Sequence, residues 1–252
     1  MDDQARAWGR SAPDYEKQFI DPYRDDVRNP VLRALKRLHG ADKLTVADLG
    51  CGTGPLLPVL AERFLRVYAV DFSPEMLSRA RKRCEGLKRI EFVERSFGDL
   101  SPLYGRIDVA VAINSLVLPD LEQLEQALVQ MRLCLKPGGR LFAIVPSIDS
   151  IHYETMLLVD RARARGMPLD QARKNAVDLA EHSSYDFGLA RFFHHGIEQH
   201  FWQPFEIPYR LKRAGFRKWR MRKTRLAWPQ FAKGKDFAAQ PAPWDWSFVA
   251  IP

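Results

Sequence analysis

The 252-residue sequence holds only three cysteines, Cys51, Cys84 and Cys134, scattered and odd in number. No C-x-x-C pair or other metal spacing occurs among them. That excludes a disulfide framework and a cysteine-based metal site, and reduced thiols in a cytoplasm are expected. H-E-x-x-H is also absent, so no metal is expected from the histidines. No apolar run approaches the ~18–20 residues of a membrane helix; Leu141-Phe-Ala-Ile-Val145 is typical of the longest, and no membrane partner is expected. The start, Met1-Asp-Asp-Gln-Ala-Arg6, lacks the basic-then-apolar layout of a secretory signal. Internal repeats and low-complexity segments are missing as well. Acids are the scarcer charge: 31 Asp and Glu stand against 39 Lys and Arg, a net charge of +8. A basic balance favours anionic partners without demonstrating one.

What is present is a strand–helix rhythm. Residues 1–43 read as a helical cap carrying Trp8, Tyr15, Phe19 and Tyr23, followed by the amphipathic run Val31 to Leu38. Strands are predicted at 44–49, 66–71, 90–94, 107–113 and 140–145. Between them lie helices marked by Ser73-Pro74, a hydroxyl cap before a first-turn proline, and by Leu121, Leu124, Leu128, Met131 and Leu135 at spacings of three and four. Such alternation predicts an α/β fold, a doubly wound Rossmann-like sheet over 44–147. The rhythm breaks after Pro146. Residues 148–203 read as inserted helices without a strand, a lid, and 204–252 read as a helix and two strands that complete a seven-stranded, mostly parallel sheet. The whole is expected to be one structural domain.

The stretch Val46-Ala-Asp-Leu-Gly-Cys-Gly-Thr-Gly54 passes from strand into a glycine turn and then into the Pro55-led apolar run. Strand, glycine turn and helix in that order bring backbone N–H groups to a ligand. A dinucleotide fingerprint wants G-x-G-x-x-G, and its third glycine is here replaced by Pro55. G-x-x-x-x-G-K-[ST] is absent, which excludes a P-loop. Asp71, ending the second strand, is placed to accept from ribose hydroxyls.

Asp48 to Gly54, Tyr68 to Leu77, Leu135-Lys-Pro-Gly-Gly-Arg-Leu141 and Ala214-Gly-Phe216 together resemble the motifs of the class I S-adenosylmethionine-dependent methyltransferases, tightly over 44–146 and loosely over 204–252. The resemblance implies an antiparallel last strand. Its cofactor would be S-adenosyl-L-methionine, leaving S-adenosyl-L-homocysteine. The implied cofactor contacts are the turn residues Gly50, Cys51, Gly52 and Gly54, Asp48 toward the methionine amino group, Asp71 on the ribose, Phe72 against the adenine, and Asn114 and Ser115 on the sulfonium side. Tyr15 would reach the cofactor carboxylate from the N-terminal cap. One position departs from the family pattern: where many members carry Gly-Asp-Ala after the third strand, this chain has Arg95-Ser96-Phe97, with Asp99 three residues beyond the expected acid. The adenine contact therefore falls to Ser96 and Phe97, or to Asp99 if the loop shifts.

Five of the six histidines lie in or beside the insertion, and His194, His195 and His200 are the candidates for a catalytic base, since the insertion should cover the open face of the site. The implied reaction is in-line methyl transfer to oxygen or nitrogen of a small, partly apolar or aromatic acceptor, by a monomer or homodimer. Alignment of the acceptor outranks base catalysis there, at roughly 7–11 kcal/mol against ~10²–10⁴-fold. Two alternatives stand beside it. The basic run Arg210 to Arg225, nine cations without an acid, suits an RNA or protein substrate, although nucleic acid is not the favoured partner. A non-catalytic module that keeps the cofactor fold is the other.

Overall fold

The structure is a computed structural model that describes residues 8–10, 21–179, 185–186, 188–194, 197–232 and 237–252. Five parallel strands come first: β1 (Thr45–Leu49), β2 (Arg66–Asp71), β3 (Ile90–Glu94), β4 (Ile107–Ile113) and β5 (Leu135–Val145). Helices connect them, α1 (Pro30–Lys36) standing before β1, then α2 (Leu57–Arg63), α3 (Pro74–Arg83) and α4 (Leu121–Cys134). The insertion after β5 carries α5 (Ile148–Ala164), α6 (Leu169–Leu179) and the short strands β6 (Tyr185–Asp186), β7 (Arg191–His194) and β8 (Ile197–His200). The chain ends with α7 (Glu206–Arg213), β9 (Lys218–Arg225), α8 (Trp228–Phe231) and β10 (Trp244–Ile251).

The main sheet has the order β3-β2-β1-β4-β5-β10-β9, with β10 antiparallel to both its neighbours. Seven strands, mostly parallel, are as the sequence predicts. Alternation along each strand splits the core in two. Ala47, Leu49, Tyr68, Val70, Ala110 and Ala112 pack on one face with α4 and α7. Val46, Val67, Ala69, Val109 and Val111 pack on the other with α1, α2 and α3. Burial on both faces explains why β4 reads as a continuous apolar run rather than an alternating one. The Ser73 cap is as predicted, Ser73 Oγ accepting from Met76 N at 3.3 Å, and Asp120 caps α4 by accepting from Glu122 N and Gln123 N.

The insertion differs from the all-helical expectation. Its second half, β6-β7-β8, is a small antiparallel sheet. The residues there obey a two-residue period: Phe192 is buried and Phe193 exposed, Ile197 buried and Glu198 exposed. Runs of four residues are also too short to stabilise a helix on their own. The sheet is pinned to the main domain. Trp202 bridges to Ser147, its indole N–H donates to Leu116 O at 2.7 Å, and His200 N donates to Val117 O at 2.9 Å.

Candidate functional site

The sheet order reverses between β1 and β4. Helical connections leave those two strands in opposite directions, so a crevice opens beyond their C-terminal ends, the place where doubly wound sheets hold ligands. The turn Gly50–Gly54 leaves β1 into this crevice, and Asn114-Ser115 leaves β4 into it.

The turn is tied down by hydrogen bonds that its glycines permit. Gly50 N and Cys51 N both donate to Val70 O, at 2.8 and 2.9 Å. Gly50 has φ +75°, and a Cβ there would stand 2.3 Å from Ser115 Cβ, so the strand-end turn and the β4 loop meet only because that position has no side chain. Ser115 Oγ donates to Leu49 O at 2.7 Å and locks the two loops together. The same absent Cβ would lie 3.1 Å from Phe97 Cζ, which puts the Phe97 ring at the turn. Around Gly52 the arrangement is the reverse: nothing stands within 4 Å of where its Cβ would be, which leaves an open cradle over the turn.

Two carboxylates lie beneath this cradle. Asp71 is 6 % exposed; its Oδ2 accepts from Gly52 N and its Oδ1 from Ser73 N, both at 2.9 Å. Burial raises its pKa, and the backbone N–H groups of Ser73, Gly52 and Phe72 oppose that shift. Asp48 is 3 % exposed, and burial, with the Asp71 charge added, pushes it up to about 7. The same burial and the same two acids raise the Cys51 thiol well above its ordinary value, so Cys51 is an inert packing group here. The third side is Asn114. It has φ +52°, a strained position for a non-glycine residue, and its buried Oδ1 has no hydrogen-bond partner. An unpaired buried carbonyl, two crowded carboxylates and an open glycine cradle together suit a cationic ligand bearing hydroxyl donors.

Asp99 is exposed, and its carboxylate accepts from Ser101 N and Ser101 Oγ, closing the turn Ser101–Leu103 and holding its own pKa low. The acid is thus engaged by its own turn. Ser96 Oγ accepts from Gly98 N at 3.3 Å, and Ser96, Phe97 and Phe72 are half-buried. Tyr15, His195 and the side chain of His194 lie outside the described residues.

His200 is described, and it is not where an acceptor could reach it. The residue is 0 % exposed, its Nε2 lies 2.9 Å from Glu206 Oε2, and its ring stands edge-on to Trp202. Its ring is thus engaged by Glu206 and closed off from solvent. Glu206 also accepts from Arg210, which in turn reaches Glu125, the partner of Arg213. Burial pushes Glu206 upward, but His200 and Arg210 outweigh it and hold the carboxyl below its ordinary value. Removing it by Glu206→Ala leaves a buried guanidinium short of one partner. Urea unfolding should then show a loss of about 3 kcal/mol, smaller if Glu125 compensates.

One buried acid escapes the sequence reading. Asp245, at the start of β10, is 3 % exposed, accepts from Ser147 N at 3.3 Å, and is pushed by burial to about 7. The available signal was an acid within the aromatic run Trp244-Asp-Trp246.

A doubly wound sheet with an open glycine turn at its reversal point and an acid closing the second strand defines a Rossmann-like protein built to bind a nucleoside cofactor. Residues 46–139 match the family model described as a methyltransferase domain, in keeping with the resemblance to the class I S-adenosylmethionine-dependent methyltransferases. An uncharacterised 37.1 kDa protein of transposon TN4556 from Streptomyces fradiae is 37% identical over 181 residues, 68% of this chain and 50% of that one. Magnesium-protoporphyrin O-methyltransferase of Rhodobacter capsulatus is 36% identical over 118 residues, 44% of this chain and 51% of that one. The chain thus spans about half the length of these curated relatives. The solved DhpI-SAM-HEP complex has the same fold, with a TM-score of 0.61 at 19% identity over 99% of this chain and 96% of that one. No helix among the described residues is long and apolar enough to cross a membrane.

Proposed function

We propose that the chain is an enzyme that transfers a methyl group from S-adenosylmethionine to an oxygen or nitrogen of a small, partly apolar acceptor. The observation that carries this reading is the set of groups at the sheet's reversal point: Asp71 holding the open Gly52, the buried Asp48 near it, and the unpaired Asn114 Oδ1 at the end of β4. When bound, the cofactor supplies the electrophilic methyl carbon.

The chain's own residues then have defined tasks. Asp71 is oriented by the backbone N–H groups that hold it, and its carboxylate is the acceptor offered to the ribose hydroxyls. Asp48, crowded by Asp71, gains most from a cation and faces the methionine ammonium. Asn114 Oδ1 and Ser115 line the sulfonium side, and Phe72 and Phe97 enclose the adenine, with Ser96 at its edge. Residues 148–203 form the lid, anchored through His200 and Trp202 to the loop after β4, so acceptor alignment and exclusion of water depend on the same loop that carries Asn114. His194 and His195 stay as the candidate bases. Oxygen is the first choice of acceptor atom, supported by the relative named as an O-methyltransferase.

The test is a melting curve with S-adenosylhomocysteine and NADH added separately, followed by an acceptor screen that detects S-adenosylhomocysteine as product. Stabilisation by S-adenosylhomocysteine and turnover with a small acceptor are expected. Stabilisation by NADH alone would sink the proposal.

A further inference from the structure

The basic run that the sequence shows as one stripe is divided by the fold. Arg210 and Arg213 turn to Glu125 and Glu206, and Lys223 Nζ sits 3.3 Å from the ring centroid of Trp244. Arg222 and Arg225 join Arg28 and Arg33, from the chain before and within α1, around one cavity of ≈ 390 Å³. All four arginines are exposed, no acid lines the cavity, and none of them has an ion-pair partner among the described residues. Elsewhere in the same chain exposed arginines do find carboxylates, as Arg24 does with Asp26.

Backbone pairing makes the crowding a feature of the fold. Arg28 N donates to Arg225 O at 2.9 Å, and the two residues form an antiparallel bridge. Like charges directly opposite each other across such a bridge are destabilising unless an anion lies between them. Guanidinium groups are the side chains best matched to that anion, since they bind phosphate oxygens in pairs. A second cavity of ≈ 220 Å³ adjoins the first and shares Pro30 and Arg222 with it. Its walls are mainly apolar, formed by Val31, Ala34, Phe142, Phe248 and Val249 between α1 and the sheet, with Arg220 and Ser247 also lining it.

We propose that these joined cavities bind an organic phosphate, its anionic head among Arg28, Arg33, Arg222 and Arg225 and its apolar body beside Ala34 and Phe248. The inference goes beyond methyl transfer and does not rest on it. A compact head fits better than a nucleic-acid backbone, because the four arginines ring one concavity instead of tracking along a surface. The phosphate can come from a free ester or from a lipid headgroup, and the probes separate the two.

The probes are inorganic phosphate, hexyl phosphate, vesicles containing an anionic phospholipid, and a single-stranded oligonucleotide, each at matched ionic strength with the full chain. Hexyl phosphate should stabilise the protein saturably and bind about tenfold or more tighter than phosphate, because its chain leaves water. The double variant Arg28→Gln/Arg225→Gln should lose about tenfold or more of that affinity, yet melt no lower than the natural chain without ligand, since a repulsion has been removed. Ala34→Leu should lose only the gain from the hexyl chain. Lys36→Gln, exposed on the same helix outside the cavity, should change nothing. Binding to vesicles in addition to hexyl phosphate would assign a lipid source, and hexyl phosphate alone a free ester. No saturable response to hexyl phosphate, an equal loss in Lys36→Gln, or binding of the oligonucleotide alone would overturn the proposal. None of these readouts uses the methyl donor, so failure here is separable from failure of the methyl-transfer reading.

Discussion

Asp48→Asn is expected to make the cofactor-free protein more stable at pH 8 and to cost roughly 30-fold or more in affinity for S-adenosylmethionine. The two effects share a cause. Asp48 is buried beside Asp71, and its pKa rises from 3.8 to about 7. A carboxyl whose folded pKa lies above its unfolded value is held in its neutral form, so the folded chain binds more protons than the unfolded one between those two values. Stability therefore falls as pH rises through that window and levels off above about 7, where the buried carboxylate is charged in both states. By then the ionised group costs on the order of 4 kcal/mol. The isosteric amide removes that cost, and with it the charge that would face a methionine ammonium.

The pH profiles separate this from a merely structural effect. In the natural chain, affinity for the cofactor should climb as pH rises through about 7, because only the ionised Asp48 attracts a cation. In Asp48→Asn that climb should vanish. The stability slope should only be reduced, since Asp245, also raised to about 7, leaves a second contribution of the same sign. Titration calorimetry from pH 5.5 to 8.5, with melting curves alongside, checks both. An unchanged affinity in the variant would remove Asp48 from the site.

Asp71→Asn should be the more damaging change, with affinity for S-adenosylhomocysteine reduced roughly 100-fold or more and stability lowered as well. Both carboxylate oxygens are already acceptors, one for Gly52 N and the other for Ser73 N. An amide offers one acceptor, so its NH₂ group must face one of those N–H donors. A buried donor left unpaired costs about 1–3 kcal/mol. The glycine turn would lose one of its ties at the point where Gly52 lies open, and the ribose would lose one of its acceptors. Asp71→Asn thus opposes Asp48→Asn in sign on stability while agreeing with it on binding. That contrast is measurable on the same melting apparatus. Equal binding by Asp71→Asn would sever the link between this carboxylate and the ribose.

Much of the cofactor side was legible because its signals are local. Three glycines at alternate positions, Ser73-Pro74 and an acid ending the second strand need only a few neighbouring residues to act, and the spacing from Leu121 to Met131 records one helix face, while Leu135, read with it, begins β5. Given the strand order, the right-handed strand–helix–strand rule decides which face of the sheet each connecting helix covers. The small sheet β6-β7-β8 was hidden because its strands have two to four residues, too few for a periodic pattern to stand out from the helices before them. His200 looked like a base by position on a lid. Its partner Glu206 belongs to the following helix, and only folding brings the two together. Asp99 accepts from Ser101 through one carboxylate oxygen, a local contact that the family pattern does not anticipate.

The sequence by itself determined the sheet, the turn and the kind of cofactor, since hydrophobic period and glycine placement act over a few residues and survive any arrangement of the rest. Tertiary structure alone decided which charges are burdens and which are tools. Asp48 and Asp245 are pushed to about 7 because folding strips water from both and sets Asp48 near the Asp71 charge. The nine-cation run becomes two ion-paired arginines on α7 and an unpaired cluster with Arg28 only because β9 forms the edge of the sheet. Burial and pairing join residues far apart in the chain, and no local pattern records them.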